Sequence, residues 1–362
     1  MAIMMACTQS NKEVSNEPVS DDELLATATF LHEKGFGYSR LSEYEFFKDP
    51  LDQLVPATTR IVPYDLNTPL FTDYADKERF VYIPDEGVIQ YKESEVLDFP
   101  DGSVLIKNFL YSRSIEEGKE QKRIIETRLL VFEKGEWAPR SYVWNKDQTE
   151  AYLTVSGATE EVEFVNGNNE RISLAYKVPT VNQCKSCHML NGKITPIGPT
   201  ARQLHRVKTE ESFIHQWAKK GLLNDVPQEI PLLAQWDNSA TPIDDRARAY
   251  LDINCGACHR SGAPAKTSGL DLTVFSDGGY ALGVGKKPVA AGKGSGGLLY
   301  DIVPGRPDES ILLYRMESTD PSVMMPELGR SSVHKEGVAL IKEWIKTMES
   351  NKRAITAQLL QQ

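Results

Sequence analysis

Cysteine and histidine are scarce in this 362-residue chain, five and six of them respectively. No run of about 18 apolar residues occurs, so no segment is suited to cross a bilayer as a helix. Positive charge is short as well: 41 Lys and Arg stand against 51 Asp and Glu, a formal net charge of −10. Neutralising a phosphate backbone needs a basic face and none is evident, which argues against non-specific nucleic-acid binding. The same acidity suits a soluble protein that meets a basic partner. No repeat of fixed period is present. The length allows two or three domains, each able to bury its own core.

What is there is concentrated. Four of the five cysteines and two of the six histidines fall into two short stretches, "QCKSCH" at 183–188 and "NCGACH" at 254–259. C-x-x-C-H is the attachment signature of c-type haem. Two thiols add across the two vinyl groups on one porphyrin edge, and the next histidine is thereby brought under the iron. Cys184, Cys187 and His188 would serve one haem; Cys255, Cys258 and His259 a second. Composition alone gives roughly 0.001 such matches in the chain. A four-cysteine zinc site wants its pairs about 15–20 residues apart, and these are much farther apart. A thioredoxin-like pair needs a βαβ setting, whereas "CGAC" follows an acidic helix. Two covalently bound haem c groups are the expectation.

The N-terminal "MAIMMAC" resembles the end of a bacterial lipoprotein signal, with Cys7 as the lipidated residue and the start of the signal upstream. Residues 8–20 read as a polar, disordered linker. Ser20 caps a short helix, "ELLATATFLHEKGF", that ends near Gly35. From Arg60 to Pro179 the period changes to two, in strand-length runs such as "ERFVYIP", "SVLIKNFLYS" and "RISLAYKVP". Asn166-Gly167 and Lys134-Gly135 signal hairpins. This part reads as an antiparallel β domain, closed or nearly so. Helical spacing then returns in "ESFIHQWAKKGLL", in "IDDRARAYLDINCGACH" and in "SSVHKEGVALIKEWIKTM", the last carrying Val338, Ile341, Trp344, Ile345 and Met348 on one face. The predicted class is α+β: signal and linker at 1–20, a β-rich domain at 21–180, the first haem motif with a helical connector at 181–236, and an all-α cytochrome domain at 237–350.

An electron-carrying haem usually fills both axial positions, and a Met opposite the His raises its potential. Met325, directly before Pro326 in the polar loop "DPSVMMPELGRSS", is the candidate sixth ligand of the second haem, with Met324 beside it. The first haem has no such loop. His205, His215 and Met189 are its candidates, with an open iron as the other option.

On these residues the chain resembles known families. "DRARAYLDINCGACHRSGAP", "IVPGRPDESILLYRM" and "MMPELGRSSVHKEGVALIKEWI" are similar to the class I cytochrome c domain. "PYDLNTPLFTDYADKERFVYIP", "FPDGSVLIKNF" and "IETRLLVFEKGEWAPRSYVWNKDQTEAYL" look like the N-terminal part of a family of bacterial dihaem c-type cytochromes, often lipoproteins. The resemblance covers most of the chain from about Tyr64 and implies electron transfer with redox protein partners in the periplasm or at a membrane surface facing it. A β region ending in a haem motif is also similar to cytochromes whose haem is crosslinked to a lysine and which oxidise hydroxylamine. Lys107 is the residue at that place in "DGSVLIK", read as a solvated lysine, and the activity is not carried over.

Lesser signals stay bland. "GVGKKPVAAGKGSGG" fails as a phosphate loop, because Lys287 and Gly294 stand where Gly and Ser or Thr are needed; it reads as a mobile loop near a haem edge. Glu160-Glu161 and Asp244-Asp245 read as solvated faces or helix caps. Arg306 is a candidate partner for a haem propionate. The sequence therefore reads as a dihaem electron carrier. Beside it stand a haem oxidoreductase, peroxidase-like or oxidising a small molecule at an open first haem, and a partner-binding lipoprotein with accessory haem.

Overall fold

The computed structural model describes residues 20–116, 119–165, 170–206, 211–289 and 291–359, with side chains left aside at 113–121 and 349–359. Cys7 and the linker, and the Asn166-Gly167 turn, lie outside the described residues. An N-terminal region rich in antiparallel strands is followed by a helix-rich one.

Helix α1 spans Asp21–Glu33, and the Ser20 hydroxyl accepts from the Glu23 amide at 3.3 Å, as an N-cap should. Gly35, at φ +81°, takes the left-handed conformation that ends the helix. The strands follow: β1 Ile61–Tyr64, β2 Asp76–Tyr82, the two-residue β3 Ile89–Gln90, β4 Val104–Glu116, β5 Lys119–Glu133, β6 Glu136–Trp144 and β7 Ala151–Thr154. A separate hairpin pairs β8 (Ala158–Val165) with β9 (Arg171–Val178). Lys134 and Gly135, both at positive φ, make the two-residue turn between β5 and β6.

The main sheet runs β1-β2-β4-β5-β6-β7 in a linear order, in place of the closed or nearly closed arrangement expected from the strand pattern. Closure fails because β1 and β7 end the order as edges. Residue Arg40 bridges to Tyr152 on β7, and α1 packs over it, so that edge is covered by chain from outside the sheet.

Period-two alternation divides the sheet residues between its faces. One face carries Phe80, Ile106, Leu129, Tyr142 and Trp144 against α1 and the segment Leu41–Leu54. The other holds two apolar clusters. In one, Val81 and Leu105 pack on Ala201, Leu204 and Trp217; in the other, Phe109, Tyr111 and Val143 pack on Phe164, Tyr176 and Val178 of the β8–β9 hairpin. Between the clusters a polar row crosses four strands in register: Arg79, Lys107, Arg128 and Ser141.

The remaining elements are helix α2 (Val181–His188), a small hairpin of β10 (Met189–Leu190) and β11 (Lys193–Ile194), helices α3 (Ala201–Leu204) and α4 (Phe213–Lys219), β12 (Leu223–Asn224), which pairs parallel to β3, then α5 (Ile243–Leu251), α6 (Ile311–Glu317) and α7 (Lys335–Leu359). Helix α7 thus runs past the boundary at 350 drawn from sequence. Ala247, Tyr250 and Leu251 of α5 pack on Leu340, Ile341, Trp344 and Ile345 of α7. The crossing depends on Gly337: a Cβ there would stand 2.3 Å from the Tyr250 hydroxyl. Asp244, in the first turn of α5, accepts a 2.7 Å bond from Trp344 Nε1.

Candidate cofactor site

Helical spacing explains why each motif holds its three groups together. Thr180 and Gln183 form a reciprocal capping box that starts α2, so Cys184, Cys187 and His188 fall at i, i+3 and i+4 on one face. For the second motif, α5 continues into a wider π-type turn over Asp252–Gly256, after which the amides of Cys258 and His259 both donate to the Cys255 carbonyl, at 3.1 and 2.9 Å. Wider turns of this kind occur frequently at functional sites.

Both histidines are oriented through one ring nitrogen. His188 Nδ1 is 2.9 Å from the Thr195 carbonyl. A carbonyl only accepts, so Nδ1 carries the proton and Nε2 is left with its lone pair. His259 Nδ1 bonds the Ser268 hydroxyl at 3.0 Å. Burial pushes both imidazoles down to about 4, so both are neutral at pH 7. Neutral imidazole with one nitrogen engaged and the other available is the form that binds a metal.

Around the second motif lies a cavity of about 360 Å³. Cys255, Cys258 and His259 contribute to its lining, as do Met325, Pro326 and Leu328, with Leu270, Leu272, Ile311 and Leu312 supplying apolar wall. Met325 and the second motif thus open onto one space. Met324 is buried and is not among the lining residues. Pro288, Val289 and Ala291 of the glycine-rich loop border the same cavity. A largely apolar space with a neutral imidazole, a thioether and two thiols fits a haem c.

The two motifs meet. Cys187 of the first also lines this cavity, close to Cys258. Cys258 beside it, then burial, push the Cys187 thiol up, while Cys187 lowers Cys258. Burial pushes Cys255 up to about 12. A backbone bond from Asn191 N to Gly262 O, 2.9 Å, fastens the loop after one motif to the loop after the other. Among the described residues, no group of three His, Cys, Asp or Glu side chains is arranged to hold a metal ion.

Lys107 departs from expectation. It is half-buried rather than freely solvated: its ammonium lies 4.8 Å over the Phe109 ring, and burial, then Arg79, Lys77 and Arg128, hold it well below the usual lysine range. With Arg128, it lies near enough to His188 to depress that imidazole further. Cys184 stands over the same row, close to Arg128, Glu126 and Ser141.

His205 and His215 pack edge to face at 5.8 Å, and their Nδ1 atoms bond the Ile230 carbonyl and the Ser212 hydroxyl. Met189 opens β10, next to His188. Arg306 lies on the surface with Glu309 and is absent from the cavity lining; Arg315 is the arginine that lines it, its Nε donating to Val323 O at 2.8 Å. An arginine inside the apolar run "ILLYRM" was the available signal for that residue. Asn191-Gly192, a hairpin dipeptide directly after the first motif, was the signal for the loop that joins the two.

Comparison with protein-family models, with curated proteins and with solved structures returns no match.

Proposed function

We propose that the chain is a dihaem c-type cytochrome that relays single electrons between redox protein partners outside the cytoplasm. The observation that carries this reading is the meeting of the two C-x-x-C-H motifs, Cys187 to Cys258, at the edge of a cavity that Met325 also lines. Cys184 and Cys187 would hold one haem and Cys255 and Cys258 the other. His188 and His259 would supply imidazole nitrogen, and Met325 the thioether at the second. Bound haem c supplies an iron that changes oxidation state by one electron. The chain's own part is to keep both imidazoles neutral, to keep water from the apolar cavity, and to fix the two motifs against each other. Among the described residues no helix is long and apolar enough to cross a membrane, so attachment to one would rest on Cys7.

The test is a pyridine haemochrome count on protein matured with a haem-attachment system. Two haems per chain are expected, falling to one in Cys184→Ala and to one in Cys255→Ala. A colourless wild-type product would refute the reading.

The half-buried Lys107 favours a second reading at the first haem. A lysine that burial and neighbouring cations hold below its usual range, close to the axial histidine, is of no use to a wire, whereas an enzyme employs one as a base or nucleophile. Cyanide or carbon monoxide shifting the spectrum of the loaded protein, and Cys184→Ala abolishing the shift, would support an open iron there.

A further inference from the structure

The segment Asp65–Ala75 of the strand-rich region reaches across to the second haem motif at one point and to the loop beyond Met325 at another. Phe71 N donates to Asn254 Oδ1 at 2.9 Å, one residue before Cys255. The Asp73 carboxylate accepts from Ser331 N at 2.8 Å, from Ser332 N at 2.7 Å and from the Ser332 hydroxyl at 2.7 Å. Asp73 is 2% exposed and sits at φ +47°, a conformation few side chains accept. Its own carbonyl takes a 2.9 Å bond from the Tyr111 hydroxyl, so it is anchored to the sheet.

The serines it grips continue the loop that carries Met325. Arg330, buried at 6%, links the two: one guanidinium nitrogen donates to the Met325 carbonyl at 2.9 Å and to the Ser318 carbonyl at 2.8 Å, the other to the Ser332 carbonyl at 3.0 Å. The chain of contacts therefore runs sheet, Asp73, Ser331 and Ser332, Arg330, Met325. A buried carboxylate that satisfies two backbone amides and a hydroxyl fixes a loop far more firmly than solvent would.

We propose that Asp73 is a positioning residue for Met325: one carboxylate of the strand-rich region holds the thioether loop in place against the second haem motif. This rests on reading Cys255–His259 and Met325 as a haem site. It gives the strand-rich region a task at a haem that its own motif does not bind.

Asp73→Asn separates the charge from the backbone conformation, because asparagine tolerates positive φ and keeps an acceptor oxygen for Ser332, but removes the charge and places an amide donor where Ser331 N also points. The probe is the weak far-red absorption of the ferric protein that reports methionine on iron, followed as pH is raised, with haemochrome count and circular dichroism beside it. Expected for Asp73→Asn is two haems and native secondary structure, with the Met-detached fraction at a given pH raised roughly tenfold to a hundredfold, the equivalent of one charged hydrogen bond lost. Tyr111→Phe, which loosens the same residue without touching its carboxylate, is expected to leave the band in place. An Asp73→Asn band as persistent as wild type would overturn the proposal, as would an equal effect of Tyr111→Phe. If Asp73→Asn does not load haem, Ser332→Ala decides: a smaller shift in the same direction supports the proposal and no shift overturns it. A wild-type protein with two haems and no such band would instead remove Met325 from the haem reading.

Discussion

The row of Arg79, Lys107 and Arg128 sets three cations side by side on neighbouring strands, an arrangement that like charges disfavour. Glu126 makes it tenable. Its side chain is fully buried and grips Arg128 at both ends, 2.7 and 2.8 Å, while Tyr176 donates to it at 3.0 Å. Glu126→Gln keeps the shape and removes the charge. Arginine cannot shed its proton, so Arg128 would stay charged beside Arg79, with Lys107 between them on the neighbouring strand. Breaking a buried pair from one side costs about 3–5 kcal/mol. Arg128 keeps some contact with solvent, its side chain being 24% exposed, which argues for the lower end, about 3 kcal/mol. The double variant Glu126→Gln with Arg128→Gln removes the stranded charge and should recover most of the loss. Urea unfolding of the loaded protein, followed by circular dichroism and checked for constant slope, measures both. A single variant within about 1 kcal/mol of wild type, or a double variant worse than the single, would refute the reasoning.

Other consequences are equally direct. Gly337→Ala forces a methyl into the Tyr250 ring, and the thermal midpoint should fall by the equivalent of about 1–3 kcal/mol even though alanine favours helix. Gly262 sits at φ +76°, where an added Cβ would meet the Asn191 side chain at 2.0 Å. Gly262→Ala should cost about 1–2 kcal/mol and, if the chain carries the two haems proposed, slow the equilibration between them after partial flash reduction; unchanged equilibration would show that this loop contact does not fix the motifs. Lys77 is lowered to about 7 by burial and then by Arg79. Between that value and the lysine value of about 10.4 the unfolded chain holds a proton the folded one lacks, so stability rises with pH there. Wild type should gain on Lys77→Met as pH goes from 7 to 9 in parallel urea titrations, and a constant difference would count against the neutral lysine.

Much of the chemistry was legible because it is local. Cys184, Cys187 and His188 need only the period of a helix to share a face, and Cys255, Cys258 and His259 need only a turn. The α1 cap, the Lys134-Gly135 turn and the apolar face of α7 follow from the same short-range rules. What escaped depends on register and on distance along the chain. Nothing near Arg79, Lys107 or Arg128 says that they are neighbours; that follows from which strand pairs with which, and from the phase of each. The open sheet was missed for a related reason, since alternation marks which side of a strand is buried and says nothing about whether its edges find each other.

The long-range contacts also bear on how separable the parts are. Sequence drew a boundary at 180 and another at 236, yet Asn67 donates to the His205 carbonyl, the Thr68 hydroxyl to the Ala234 carbonyl, Phe71 to Asn254, and Asp73 accepts from Ser331 and Ser332. One stretch of the strand-rich region thus touches the connector, the second motif and the methionine loop in turn. Each partner left behind by a cut would lose the bond that fixes it, and apolar side chains packed against the removed region, such as Ala201, Leu204 and Trp217, would be exposed to water. Removing residues 22–180 would therefore not isolate an intact helix-rich region from an accessory layer. It would unfasten Asn254 beside Cys255 and Ser331 and Ser332 beyond Met325 together. A partner-docking role for the strands alone is consequently better examined by surface substitutions on β8 and β9, where Glu161 and Glu163 face outward from the shared core.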